Sequence, residues 1–492
     1  MMRPRPRARA VMLQGTGSHA GKTVLVAGLC RLLARRGLLV VPFKSQNMSL
    51  NAHVAPGGGE MGWAQVMQAE AAGVAPRVEM NPILLKPRGE TRSQVVLLGR
   101  ARRESDARGY YRLAPTLWPA VRRSYEALAR EADVVVIEGA GSPAEPNLMR
   151  RDLANMRVAR MARAPVLLVG DIDRGGVFAS LLGTMLLLPT ADRRRVRGFV
   201  INKFRGDPGL LAPAIRDLTR RTRVPVVGVV PFLRDLALPE EDSVGLDDKR
   251  PPRGGLRVAV VRLPHIANFT DFAPLESEPG ISLVYAETGR ALADAALVIL
   301  PGSKDTIADL RAIKARGLGR ALDAHHRRGG RILGVCAGFQ MLGRAVADPH
   351  RVESGGREDG LGLLPVVTTL APEKITRRVR ARWLPDGPDV EGYEIHVGET
   401  VADPPPRPLL EVEGRPEGCV SADGRVWGTY LHGLFESGAG RRRVLDWARG
   451  DTGPSPGAAR DHRALREAAY DRLADTLAAC IDPRVLRELG CA

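Results

Sequence analysis

Two short stretches carry residue types whose spacing could do chemistry: GTGSHAGKT at 15–23 and RILGVCAGFQMLG at 331–343. In the first, Gly21, Lys22 and Thr23 close a glycine-rich turn between an apolar run and the amphipathic stretch TVLVAGLCRLLARRG. Backbone N–H groups of such a turn, and of the helix after it, cradle phosphate oxygens. Lys22 would reach the terminal phosphates and Thr23 would ligate Mg²⁺. The common spacing G-x-x-x-x-G-K-[ST] calls for glycine at position 16, where Thr16 stands between Gly15 and Gly17. The loop is therefore a variant. In the second stretch a strand ends at Cys336, small residues follow and a helix begins. A thiol on that turn has a lowered pKa and N–H donors beside it for an oxyanion. A cysteine nucleophile needs a base, and His432, in GTYLHGLFE at the end of a strand-like run, is the candidate. Glu436 follows it without a spacing that must orient the imidazole, so the third member of the group stays open. His265 and His396 are weaker candidates, and the pair His325–His326 reads as an exposed helix face.

Further polar groups sit at the ends of apolar runs. Glu138 closes DVVVIEG and precedes a glycine-rich turn. The carboxyl edge of a parallel sheet is where open α/β sheets bind ligands, and a carboxylate there can complete an oxygen shell for Mg²⁺. GDIDRGGVFAS repeats the arrangement with Asp171, Asp173 and Arg174, read as a phosphate or substrate loop, and VINKFRGD ends on Asn202 and Lys203. KSQNMSLNAHV, 44–54, is crowded with polar side chains, as a substrate or metal loop would be.

The elements that must position these groups read as α/β. Continuous apolar runs at 10–14, 38–44, 133–139, 164–171, 196–203 and 224–231 alternate with amphipathic segments. That pattern predicts a parallel sheet covered on both faces. A first domain over 8–232 is followed by the charged, Pro/Gly-bearing stretch 233–255, read as a linker. A second α/β pattern over 256–450 starts with runs at 256–264, 281–287, 296–302 and 331–336. After about 365 the strands read as antiparallel, through EGYEIHVGET and GRVWGTYLHG, and 451–492 reads as a helical tail.

The chain's 492 residues exceed a single core. No apolar run approaches the ~20 residues of a bilayer span, and the basic start leads directly into VMLQG, so a cytoplasmic protein without a membrane partner is expected. The five cysteines form no CxxC pair, which argues against a zinc cluster or a disulfide framework. The net charge of +18 raises a nucleic-acid partner. With only 4% aromatics, stacking platforms are scarce, and the charge is read instead as compositional or as suited to an acidic substrate.

The variant phosphate loop resembles that of dethiobiotin synthetase and its amidoligase relatives, in which ATP phosphorylates a substrate carboxylate. G-x-C-x-G-x-Q at 334–340, with the later histidine, resembles the class I glutamine amidotransferases, which release ammonia from glutamine through a thioester. In order, the two halves resemble the cobyric acid synthase family of cobalamin-biosynthesis amidotransferases. The resemblance runs from about 10 to 450 and includes PFKSQNMSLNAHV, IEGAGSPAEPNL, LPHIANFTDFAPLE and GYEIHVGET. It implies a dethiobiotin-synthetase-like P-loop domain followed by a class I amidotransferase domain. ATP, Mg²⁺, glutamine and a corrinoid bearing several carboxylates are the implied ligands. It also implies an adenine-side role for Asn202, an oxyanion hole from the N–H groups of Gly302 (in LPGSKDT) and Ala337, and substrate positioning near the γ-phosphate by Asp152. Glu394 and His396 receive no role. The nearest rival is a cobyrinic acid a,c-diamide synthase, with the same chemistries in the same order. A partitioning-type ATPase would bind DNA or a membrane and would have lost Cys336 or His432, yet both are present.

Overall fold

A computed structural model describes residues 8–89, 91–234, 236–239, 254–450 and 460–488. The expected linker 233–255 falls mostly outside these residues, as do the ends of the expected tail, 451–459 and 489–492.

The six apolar runs of the first half all form strands. They lie in the spatial order Val226–Pro231, Val196–Phe204, Val166–Asp171, Arg9–Gly15, Val134–Glu138 and Val40–Phe43. Every pairing is parallel. Burial on both faces explains why these strands are runs of Val, Leu and Ile without alternation. The central strand Arg9–Gly15 feeds the glycine-rich turn, and the register that sets Leu13 opposite Glu138 brings both to one carboxyl edge.

KSQNMSLNAHV was expected as a loop, but it contributes two short strands. Gln46–Met48 joins Ile83–Arg88, Arg92–Leu97 and Arg100–Asp106 in a four-stranded sheet, and Ala52–Val54 pairs with Glu60–Gly62. Three-residue strands are too short to show a period of two, so their polar residues read as loop.

The second half is built on strands Ile281–Ala286, Leu256–Val261, Leu297–Leu300, Arg331–Val335 and Val426–Thr429, in that order and all parallel. The last of these lies in GRVWGTYLHG and answers its antiparallel reading in part: Val426–Thr429 is parallel to Arg331–Val335 but antiparallel to Cys419–Val420, and Leu431–His432 is antiparallel to Asp389–Val401. Val426–Thr429 runs parallel to Arg331–Val335 and so carries the chain toward His432 at the edge where Cys336 sits. The antiparallel expectation holds for the long hairpin of Val367–Trp383 and Asp389–Val401.

The helix His462–Cys480 returns to the first half and packs on the helix Lys22–Ala34. Gly28 permits this approach, because a side chain there would come within 2.9 Å of Leu477. Arg31 also pairs with Asp471 at 2.8 Å.

The two halves meet over a buried seam. Ala52, Val54, Leu84 and Val96 pack against Tyr393 and Ile395. Beside them Glu60, 1% exposed, takes Lys86 on one carboxylate oxygen and Lys374 of the second half on the other, each at 2.6 Å. Burial alone would raise the Glu60 carboxyl, but Lys374 and then Lys86 pull it down to about 2. Because the folded value is depressed, this contribution to stability is complete above the usual carboxylate range and is lost as pH falls toward 2. Glu60→Gln would leave two buried ammonium groups short of their counter-charge, and a loss of about 3–5 kcal/mol is expected. Calorimetry at neutral pH should show a lowered melting temperature, whereas an unchanged one would mean the seam does not depend on this carboxylate.

Candidate active site

The phosphate loop is held from below. Gly21 has φ +87, and any side chain there would collide with the amide of Asn202. Asn202 itself donates from Nδ2 to the carbonyl of Ala20 at 2.9 Å, so this buried side chain braces the loop. Lys22 Nζ lies inside the loop, donating to the Gly17 carbonyl at 2.9 Å and the Gly141 carbonyl at 3.3 Å. Thr23 Oγ1 donates to Glu138 Oε1 at 2.9 Å. Glu138 is also held by Lys44 at 2.8 Å and by Gln68 at 2.5 Å. The strand register thus juxtaposes a threonine hydroxyl and a carboxylate, an all-oxygen pair of the kind Mg²⁺ takes alongside phosphate and water.

Asp152 neither sits free in solvent nor points a bare carboxylate at the loop. Its Oδ1 accepts the N–H groups of Ala154 and Asn155 at 2.8 Å, and its Oδ2 accepts that of Arg157 at 3.2 Å. Asn155 in turn donates to the Ala140 carbonyl at 2.7 Å, next to the Gly141 that receives Lys22. The carboxylate therefore shapes the turn before the helix Met156–Ala162, and reaches the phosphate loop through Asn155. In GDIDRGGVFAS, Asp171 pairs with Lys203 and Asp173 with Arg205, both at 2.8 Å.

In the second half Cys336 adopts φ 55 and ψ −114 between the strand Arg331–Val335 and the short helix Ala337–Leu342. This is the strained elbow expected of a presented nucleophile. It is possible because Gly338 has no side chain to strike the Leu300 carbonyl. Ala337 is the first helical residue, so its N–H has no partner within the helix. A Cβ placed on Gly302 would lie 3.5 Å from His432 Cε1 and 3.8 Å from Cys336 Cβ. The three residues thus converge around one point. Cys336 and His432 line one recess together with Gly302 and Ala337.

The carboxylate that meets the His432 imidazole is that of Asp271. Its Oδ2 lies 2.6 Å from His432 Nδ1, leaving Nε2, buried and without a partner, on the opposite side of the ring. Burial by itself would lower the imidazole pKa; the Asp271 charge and hydrogen bond, with the Cys336 thiol, raise it instead. Asp271 was legible only as part of LPHIANFTDFAPLE. It precedes His432 by 161 residues, so no spacing could reveal the pair. Glu436 instead holds Arg466 at 2.7 Å. Tyr393 stacks on His432 with centroids 5.2 Å apart, and on its other side meets His53 of the first half at 4.5 Å. His396 is buried against Tyr430, and burial pushes its pKa down to about 3. His265 pairs with Asp309 at 2.7 Å. His325 is 3% exposed, not on an open helix face, and lies under Gly330.

Family models match each half of the chain. Residues 11–244 match the CobQ/CobB/MinD/ParA nucleotide binding domain, and residues 257–440 match the CobB/CobQ-like glutamine amidotransferase domain. A cobyric acid synthase of Allorhizobium ampelinum is 52% identical over 485 residues, covering 98% of this chain and 99% of that protein. One of Desulforudis audaxviator is 53% identical over 485 residues, covering 96% and 97%. Among the described residues no helix is long and apolar enough to cross a membrane.

Asp271→Asn should leave His432 without the charge that raises its pKa and fixes its tautomer. Glutamine hydrolysis is expected to fall by about 10²–10⁴-fold, as read by glutamate release at neutral pH. An unchanged rate would remove Asp271 from the catalytic group.

Proposed function

This chain belongs to the cobyric acid synthase family, and from that premise we propose that it amidates the b, d, e and g carboxylates of adenosylcobyrinic acid a,c-diamide, giving adenosylcobyric acid. The observation that carries the reading is the presence, in one docked chain, of a phosphate loop with Thr23 against Glu138 and a Cys336–His432–Asp271 group.

At the second site His432 Nε2 takes the Cys336 proton and the thiolate attacks the glutamine side-chain carbonyl. The N–H groups of Gly302 and Ala337 receive the oxyanion. The imidazolium returns its proton to the leaving nitrogen, so ammonia departs and a glutamyl thioester remains. Water, deprotonated by the same imidazole, releases glutamate and restores the thiol. Asp271 holds the ring so that Nε2 faces the sulfur.

At the first site a corrinoid carboxylate oxygen attacks the γ-phosphorus of ATP, and ADP leaves. The resulting acyl phosphate is attacked by ammonia, giving the amide and phosphate. Lys22 neutralises charge on the transferring group. Thr23 and Glu138 would hold Mg²⁺, which supplies charge stabilisation at the phosphates. Asn202 braces the loop on the nucleotide's adenine side. Asp152, through Asn155, keeps the turn at 140–142 in place beneath the substrate. Free ammonia is largely protonated in neutral water and then not nucleophilic, so the docked seam serves to keep it from solvent between the sites. The family of the first half includes partitioning-type relatives in name, but the retained thiol, imidazole and carboxylate favour an amidotransferase acting without DNA or membrane.

The test is to supply Mg²⁺-ATP, glutamine and the a,c-diamide and to follow the corrinoid by mass spectrometry. Stepwise gain of four amides is expected. Cys336→Ala should lose the reaction with glutamine and keep it with ammonium. Amidation of cobyrinic acid at two positions, with the diamide untouched, would favour a cobyrinic acid a,c-diamide synthase. ATP turnover stimulated by DNA, without change in either corrinoid, would favour a partitioning-type ATPase.

A further inference from the structure

The recess that holds Cys336 and His432 is not closed by the second half alone. Lys86 and Gln94, on the strands Ile83–Arg88 and Arg92–Leu97 of the first half, form part of its wall. Lys304, Lys374 and Glu353 of the second half face them. Three ammonium groups therefore meet two carboxylates, those of Glu60 and Glu353. Glu60 accepts from Lys86 and Lys374. Glu353 Oε2 accepts the Thr306 N–H at 2.6 Å. Among the described residues Lys304 has no carboxylate within ion-pair distance, although it lies beside the nucleophile's recess on the loop that begins with Gly302. Lys86 uses one of its three N–H donors on Glu60 and has others to offer. Lys304 thus stands at the wall of the recess as a partly buried cation with no carboxylate in contact among the described residues. Burial, and then the neighbouring Lys374, lower the Lys304 pKa, and burial brings Lys86 to about 8. The Lys304 shift is that of a cation with no carboxylate in contact, whereas Lys86 is lowered by burial although Glu60 raises it. Gln94 adds a buried Oε1 with no hydrogen-bond partner.

Glutamine brings the complement: an α-carboxylate for an unpaired cation, and an α-ammonium for a carboxylate and an amide oxygen. We propose that the glutamine site is composite, with Lys304 and, from the first half, Lys86 receiving the α-carboxylate, while Glu353 and Gln94 receive the α-ammonium. The inference rests on the glutaminase reading of Cys336. Its consequence is that the nitrogen donor binds fully only when the two halves are docked, because the Glu60 clamp sets the position of Lys86. The seam that shields ammonia then also licenses its production.

The experiment compares L-glutamine with its α-carboxamide, which lacks the negative charge, as substrates for hydrolysis by the full chain. Wild type should prefer glutamine in kcat/KM by about tenfold or more, the scale of a charge-assisted hydrogen bond. In Lys304→Met and Lys86→Met that preference should collapse toward unity, through KM for glutamine and not through kcat. Lys304→Arg, which keeps the charge, should restore it. Variants that hydrolyse both compounds more slowly but keep the wild-type preference would overturn the proposal, as would a wild type that does not discriminate. Failure of the underlying reading has a separate signature: no glutamine hydrolysis by wild type, or hydrolysis undiminished in Cys336→Ala.

Discussion

Two lysines from opposite halves of the chain share one buried carboxylate, and much of the rest depends on it. Glu60 has almost no exposure, so neither ammonium can withdraw without leaving charge uncompensated in a low-dielectric seam. That constraint makes docking specific where an apolar patch alone would allow sliding. It sets the four-stranded sheet of the first half against the hairpin Val367–Trp383 and Asp389–Val401, and with it Tyr393 against His53 and His432. The His432 imidazole is thereby stacked, through one tyrosine, on a residue of the other half.

Both reactive centres use the same architectural device. In each half a parallel strand ends in a tight turn before a helix, which leaves the first N–H groups of that helix without partners inside it. In the first half the turn needs a glycine with φ +87 at Gly21. In the second the turn carries the thiol, with the strain taken at Cys336. The partners arrive on neighbouring strands at the same edge: Glu138 one strand from the phosphate loop, and His432 just beyond the strand adjacent to that of Cys336.

How much of this was legible in the sequence follows from distance along the chain. Gly21, Lys22, Thr23 and the elbow around Cys336 are local, so their chemistry reads from a dozen residues. The parallel strands read from unbroken apolar runs. Asp271 did not, because its meaning depends on a histidine far downstream, and a lone aspartate in NFTDF looks like any turn residue. Val426–Thr429 pairs both ways, antiparallel with Cys419–Val420 and parallel with the strand that ends before Cys336, and only the first pairing is local in sequence. The short strands of the seam had too few residues for a period. Asp152 shows the converse: the resemblance implied substrate positioning near the γ-phosphate, and only the structure shows that its carboxylate accepts backbone N–H groups. Which carboxylates are already occupied is a fact of three dimensions.

If the docked halves work as one unit, the nitrogen that leaves glutamine should not mix with ammonia in solution. The direct measurement is to run wild type with glutamine labelled with ¹⁵N at the amide and an excess of unlabelled ammonium, and to read the isotope in the amidated corrinoid. The product is expected to carry the label of glutamine nearly undiluted. A product whose label matches the mixed ammonium pool would contradict a sealed seam, and would leave the two sites as independent enzymes on one chain.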